Sequence, residues 1–478
     1  MNRGEVPGYE FEVPAGPRHG QSQRHGAGHD SLRQLRYTPQ HAPAHRSRVR
    51  TTSSGVLSVM RKRNWLMGVA VPIMAAVAVG IAVVVLAGGG GGGGAAPSAL
   101  AAGFPPARQA AGDFTGNTAT SRVVLAAIGA SAGTEVAAGG SDGGPALWVS
   151  TDGGAGWGRA ELGGQASLTQ PGSGPLAGVA HGAAGWVAVG TTLAGAGGPL
   201  VVSSPDGEDW TVAGGSAVPH TGDAVAAAVA AGAGGYVIVG HQPAGRATAA
   251  VAWYAPGLTG WRSAAVAQPG TSGGQMMNAV TATAHGFAAV GASGTRPAVW
   301  LSASGRTWPE VTLPAPPGSA RAALDYVAAS GAGILAAGTE FTATGASRPF
   351  AEVSADGGTT WTAVQLPVPG IGPGTGTTVT ALTAAGGGFT AAGTYVTAAG
   401  PEVVIWTLPP GTSAAAAASW TAMTPQGTGL AGTRAQNTVT ALTADGATLT
   451  GVGFTAGLSA SGVPGAQEPT LWQSPIRY

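Results

Sequence analysis

The chain alternates short apolar runs with breaks rich in Gly, Ser and Asp, and one type of run recurs at near-constant spacing. Seven such runs end in a glycine, at Gly139, Gly190, Gly240, Gly291, Gly338, Gly393 and Gly453. The intervals between these glycines are 51, 50, 51, 47, 55 and 60 residues. Apolar runs this short, bounded by turn residues, predict strands rather than helices. The 84 glycines point the same way, since glycine weakens a helix interior. One unit reads through: strand 176–180, turn 181–184, strand 186–190, strand 200–203, then an Asp-containing turn and an outer strand opening at Trp210. Seven units with room for four strands each predict an all-β fold, a seven-bladed β-propeller over residues 114–478. The uncharged run 224–240 holds a Gly-Ala-Gly-Gly turn and is expected to form two buried strands of this array.

The last unit stops after its third strand, near Trp472, because the chain ends at Tyr478. An open sheet edge would remain there unless another segment fills it. The stretch 111–121, ahead of the first unit, is expected to pair into blade 7 and close the ring.

A second signature alternates with the glycine-ended runs. Ser150, Asp152, Gly154 and Trp157 form the pattern S-x-D-x-G-x-x-W, and Ser354, Asp356, Gly358 and Trp361 repeat it. Ser204, Asp206, Gly207 and Trp210 make a copy one residue shorter, and Ser302, Gly305 and Trp308 share that form with Ser304 in place of the Asp. Degenerate copies end at Trp261 and Trp420. Asp and Ser side chains accept hydrogen bonds from turn N–H groups, and Gly supplies a positive φ. A Trp at one fixed place per unit fits a wedge between adjacent sheets.

The pattern resembles the Asp box, or BNR repeat, of sialidase-like propellers. The resemblance implies a seven-bladed ring whose Asp turns lie at the rim, away from the axial channel. It also raises the question of glycoside hydrolysis. The Arg-Ile-Pro signature of sialidases is absent, and Arg122-Val123-Val124 stands nearby without it. Tyr326 follows Asp325, which reads more simply as part of a core strand. The Asp turns lack the oxygen-rich spacing of a calcium loop. His181 and His285 each sit in Ala-His-Gly at the same turn of two units, which reflects turn chemistry rather than zinc ligation. No catalytic residue, metal or cofactor is therefore assigned. With no cysteine, disulfides and thiol chemistry are excluded.

The N-terminal part differs in kind. Residues 65–86 form a 22-residue apolar run without charge, long enough as a helix to cross a bilayer. Arg61-Lys62-Arg63 precedes it, and seven glycines from Gly88 to Gly94 follow. The positive-inside rule places residues 1–64 in the cytoplasm and the propeller outside. A cleaved signal peptide is the alternative, with a small-residue stretch at 95–102. Residues 87–113 read as a Gly/Ala/Pro-rich linker. Residues 1–64 carry eleven Lys/Arg against four Asp/Glu, while the rest of the chain carries eleven against seventeen. The head is too poor in large apolar residues to fold alone and reads as a disordered basic tail. Thr51 and Thr52, behind Arg48 and Arg50, make a candidate kinase site. The tail lacks the interleaved aromatics of a nucleic-acid binder. The abundance of Ala, Gly and Arg suggests a bacterial, actinobacterial-type chain.

The functional expectation is a membrane-anchored, non-catalytic propeller that binds a protein or cell-envelope glycan outside the cell. Two alternatives stand beside it: a tethered sialidase-like glycoside hydrolase, and an assembly factor for an envelope or membrane complex.

Overall fold

The structure is a computed structural model that describes residues 122–476 apart from short connecting segments, together with Phe114 and Gly116. All of these belong to the second of two compact units, Arg63–Tyr478. The tail, the apolar run 65–86, Thr51 and Thr52 lie outside the described residues, and no described helix is long and apolar enough to cross a membrane.

Seven antiparallel blades follow one another along the chain, and the two-residue strands Leu162–Gly163 and Ala265–Val266 pair in parallel with Trp210–Val212 and Thr307–Trp308 of the next blade. Blade 1 contains Val123–Ser131, Thr134–Ser141, Gly144–Ser150 and Gly158–Arg159. Blade 2 contains Ser173–Gly182, Gly185–Thr192, Pro199–Ser204 and Trp210–Val212. Blade 3 contains Val225–Gly232, Gly235–Ala244, Ala247–Ala255 and Arg262–Ser263. Blade 4 contains Gln275–Thr283, Gly286–Ser293, Arg296–Ser302 and Glu310–Thr312. Blade 5 contains Ser319–Ser330, Gly333–Thr342, Ser347–Ser354 and Thr362–Gln365. Blade 6 contains Thr378–Ala385, Gly388–Thr397, Gly400–Leu408 and Thr421–Met423. Blade 7 contains Ala435–Asp445, Thr448–Leu458 and Pro464–Pro475. Within each blade the strands pair in sequence order. The first strand of each blade packs against the first strands of both neighbours, and those of blades 1 and 7 also meet. The first strands thus form a closed ring around an axis, and the chain folds as a seven-bladed β-propeller. The run 224–240 supplies two strands of blade 3, as its composition predicts.

Packing explains why the sheets radiate. The buried apolar residues fall into seven clusters, one at each boundary between neighbouring blades. Each cluster buries one face of a blade against the facing side of the next, so no sheet has to find a separate layer to cover it. The turn tryptophans Trp210, Trp261, Trp308 and Trp420 are buried in these clusters, and Trp157 and Trp361 pack against them. A second tryptophan position lies on the third strands. Opposite the residue two before the recurring glycine stand Trp148, Trp253, Trp300, Trp406 and Trp472 in blades 1, 3, 4, 6 and 7. Blade 2 has Val202 there, and blade 5 has Glu352.

The ring closes between blades 7 and 1. Phe114 is buried in the cluster between blades 7 and 1, its ring 5.9 Å from Trp148 and 5.3 Å from Trp157. Otherwise the segment 111–121 falls outside the described residues except for Gly116, and so does the strand pairing expected of it. Polar bonds reinforce the apolar cluster that holds the described parts of blades 7 and 1 together. Thr440 Oγ1 donates to Leu125 O at 2.7 Å, Gly133 N to Asp445 Oδ2 at 2.7 Å, and Thr450 Oγ1 to Glu135 Oε1 at 2.8 Å. Gln473 Nε2 adds a bond to Gly153 O at 2.9 Å.

Candidate functional site

The four Asp-type turns are built alike. Ser150, Ser204, Ser302 and Ser354 each accept, through the hydroxyl, a bond of 2.7–2.8 Å from a glycine N–H, that of Gly154, Gly207, Gly305 or Gly358. Each of those glycines has a positive φ, and its carbonyl accepts a bond from the indole N–H of Trp157, Trp210, Trp308 or Trp361. Asp152, Asp206 and Asp356 receive the serine O–H and then the backbone N–H groups that follow. These bonds favour the charged form and hold all three carboxyls below the usual range. Asp356, bonded twice by Thr360, falls to about 2. The serine hydroxyl, the indole N–H and one carboxylate oxygen of the motif are thereby engaged on its own hairpin. Among the described residues, no group of three His, Asp or Glu side chains could hold a metal.

The axis offers different chemistry. In every blade the first strand carries a bulge, an extra residue with no partner on the second strand. The bulged residues are Ala126, Ala177, Ala227, Asn278, Asp325, Thr380 and Thr440. Each lies 13 residues before the recurring glycine, which sits inside the second strand, two to five residues before its end, rather than at the strand end that the sequence predicts. The glycine pairs with the residue immediately preceding the bulge. A methyl group on Gly240 would collide with the Val225 carbonyl, and one on Gly291 with the Met276 carbonyl. The recurring glycine therefore marks where the inner strand kinks toward its partner.

Because the first strands form a ring, the bulges form a belt around the axis. The belt is aliphatic in blades 1–3 and polar in blades 4–7. Asn278 Nδ2 reaches from blade 4 to Asp325 Oδ1 and Leu324 O of blade 5, both at 3.1 Å. Thr440 makes the equivalent bond to Leu125 O of blade 1. Asp325 is half-buried, with protein close around its carboxyl. That confinement pushes its carboxyl up to about 7, against the opposing effect of the Asn278 bond. Tyr326 beside it is pushed well above the ordinary phenol range, by burial first and by the Asp325 charge second.

Two more buried carboxyls replace bulky apolar residues of the repeat. Glu352 occupies the third-strand tryptophan position at the boundary of blades 4 and 5, and its Oε1 has no hydrogen-bond partner. Burial pushes this group up to about 7. Glu135 is the second residue of the second strand of blade 1, where the other blades place Trp186, Tyr236, Phe287, Ile334, Phe389 and Leu449. Burial raises it, the Thr450 bond opposes this, and Asp445 and Asp152 raise it further.

The sequence-predicted turn residues thus lie on the hairpins between third and fourth strands, at one end of the propeller, and are not brought together. The belt residues were not singled out as a set from the sequence. The signal available was the constant interval to the glycine.

No protein-family model and no curated protein matches the sequence. Solved structures with similar architecture include Trypanosoma rangeli sialidase in complex with sialic acid, with a TM-score of 0.39 and 12% identity over 79% of this chain and 60% of that one. A second is Aleuria aurantia lectin in complex with alpha-methyl-L-fucoside, at 0.37 and 13% over 66% of this chain and 100% of the lectin. A third is a thermostable family-43 glycoside hydrolase, at 0.34 and 10% over 55% of this chain and 97% of that one.

Proposed function

We propose that this protein is a membrane-anchored extracytoplasmic binding propeller whose axial belt receives a cell-envelope glycan or a protein partner. The two-sided belt carries the reading. A sugar ring has an apolar face and hydroxyl-bearing edges, and alanines on blades 1–3 facing polar groups on blades 4–7 suit such a ligand. In this reading the S-x-D-x-G-x-x-W turns are Asp boxes, and their hydrogen bonds serve hairpin stability. The 22-residue run holds the chain in the membrane, with the basic tail inside and the linker 87–113 outside.

Retention of envelope glycans or proteins by the full chain, lost in Asp325→Ala with Asn278→Ala, tests the belt. Equal retention by that variant would refute it. Protease added to intact cells tests the orientation. Removal of the tail with the propeller spared would reverse it.

Glycoside hydrolysis is the second reading, and one observation favours it: a carboxyl titrating near 7 in the axial wall has the proton affinity of a general acid. Release of fluorophore from a sialoside or other aryl glycoside by the purified chain, abolished in Asp325→Asn, would move the assignment to that class.

A further inference from the structure

The first strand of blade 5 departs from the repeat at two adjacent positions of the belt. The bulged residue is ionisable in this blade alone, as Asp325. The residue after the bulge is alanine in five blades and glycine, Gly178, in blade 2, whereas blade 5 has Tyr326. Tyr326 is the only Phe, Tyr or Trp on the seven first strands. The one other acid on those strands is Asp445, which accepts the Gly133 N–H. Six blades close the same ring with alanine or glycine beside the bulge, so packing does not require the Asp325–Tyr326 pair.

Asp325 has no cation to answer it. The basic side chains of the first strands are His181, whose ring lies 4.7 Å from that of Trp186, and Arg321, which covers the Phe341 ring at 4.1 Å. Confinement by the surrounding protein and the Asn278 bond are what act on the Asp325 carboxyl. The belt positions on either side add oxygen atoms that lack partners among the described residues. Asn278 Oδ1 of blade 4 and Thr380 Oγ1 of blade 6 are both buried without a hydrogen bond, and Thr380 is only 8% exposed. Tyr326 packs against the cluster between blades 5 and 6, on the side of Thr380. This arc is short of donors and of positive charge. An ammonium group supplies both, with three N–H donors, no acceptor and a unit charge. An aromatic face beside the carboxyl stabilises it further.

The opposite arc decides what carries the ammonium. Ala126, Ala177 and Ala227 make the belt shallow and apolar on blades 1–3. An amino group attached directly to a sugar ring brings the ring across the belt, where its apolar face meets these alanines. A lysine ammonium stands at the end of a four-carbon stem and reaches the carboxyl without using that arc. We infer that Asp325 and Tyr326 form the subsite for the protonated amino group of an unacetylated amino sugar in an envelope glycan. This subsite rests on the belt being the ligand site, and it names the class of ligand that the belt takes.

Calorimetric titration of the purified full chain with a glucosamine oligomer, and with an N-acetylglucosamine oligomer of the same length, tests the subsite. The wild type binds the glucosamine oligomer about tenfold or more tightly than its acetylated counterpart, the scale of one charge-assisted hydrogen bond. Asp325→Asn abolishes that preference. Tyr326→Ala weakens binding of the glucosamine oligomer about threefold or more. Equal binding of the two oligomers, or a preference that survives Asp325→Asn, overturns the subsite and leaves the belt standing as a glycan site. Binding of neither oligomer by a chain that still retains envelope material through Asn278 and Asp325 has the same meaning. Retention indifferent to both residues removes the belt and the subsite together. Tighter binding of an oligolysine than of the glucosamine oligomer assigns the carboxyl to a protein partner and overturns the amino-sugar class. Tryptophan fluorescence checks the folding of each variant. Tyr326→Ala installs the residue that five other blades use, so it carries the test if Asp325→Asn does not fold.

Discussion

At the scale of single residues, the informative positions are those where the repeat is broken. Glu352 replaces a tryptophan used in five other blades, and its burial leaves it protonated near neutrality. An unfolded glutamate ionises near 4.5, whereas this one does so at about 7 in the fold. Between those values the native state holds a proton that the unfolded state has released. Stability therefore falls as pH rises from about 4.5 to about 7 and levels off beyond, by on the order of 3 kcal/mol for this group. Asp325 contributes in the same direction. Glu352→Gln should reduce the loss of stability between pH 5 and pH 8 in urea titrations. An unchanged slope would mean that the carboxyl is solvated. The turn serines act differently. Ser354 is fully buried, and its hydroxyl satisfies the Gly358 N–H. Ser354→Ala should cost about 1–3 kcal/mol, the penalty of a buried donor without a partner, measured by the same titration.

At the scale of elements, much of the blade was legible. Recurring glycines and Asp-type turns located every second strand and four of the hairpins, because each stands at a fixed place in the repeat. The bulge was not legible. A strict two-residue alternation assigns faces along the first strand, and one inserted residue shifts every later side chain to the other face. The glycine reads as a strand end but lies inside the strand, and its reason lies across the sheet, where the neighbouring strand leaves no room for a Cβ. Gly240→Ala should therefore destabilise blade 3 by about 1–3 kcal/mol despite the residue's ordinary strand setting. Thermal unfolding followed by tryptophan fluorescence measures this, and a neutral result would show that the inner strand can relax.

At the scale of the whole molecule, the boundary between blades 7 and 1 stands apart because side-chain hydrogen bonds reinforce its apolar cluster. Thr450→Val removes the bond to Glu135 and leaves that carboxyl buried beside Asp445 and Asp152. The loss of stability should be larger at pH 8 than at pH 5, because the bond serves the ionised form. Equal losses at the two pH values would mean that Glu135 stays protonated throughout. Repeat spacing, turn chemistry and the count of seven blades were determined by the sequence alone, since each depends on residues close together in the chain. The polar side of the axial belt and the buried carboxyls at two blade boundaries were decided only by tertiary structure. Those features depend on which blades become neighbours and which residue each bulge presents, and a closed ring sets both.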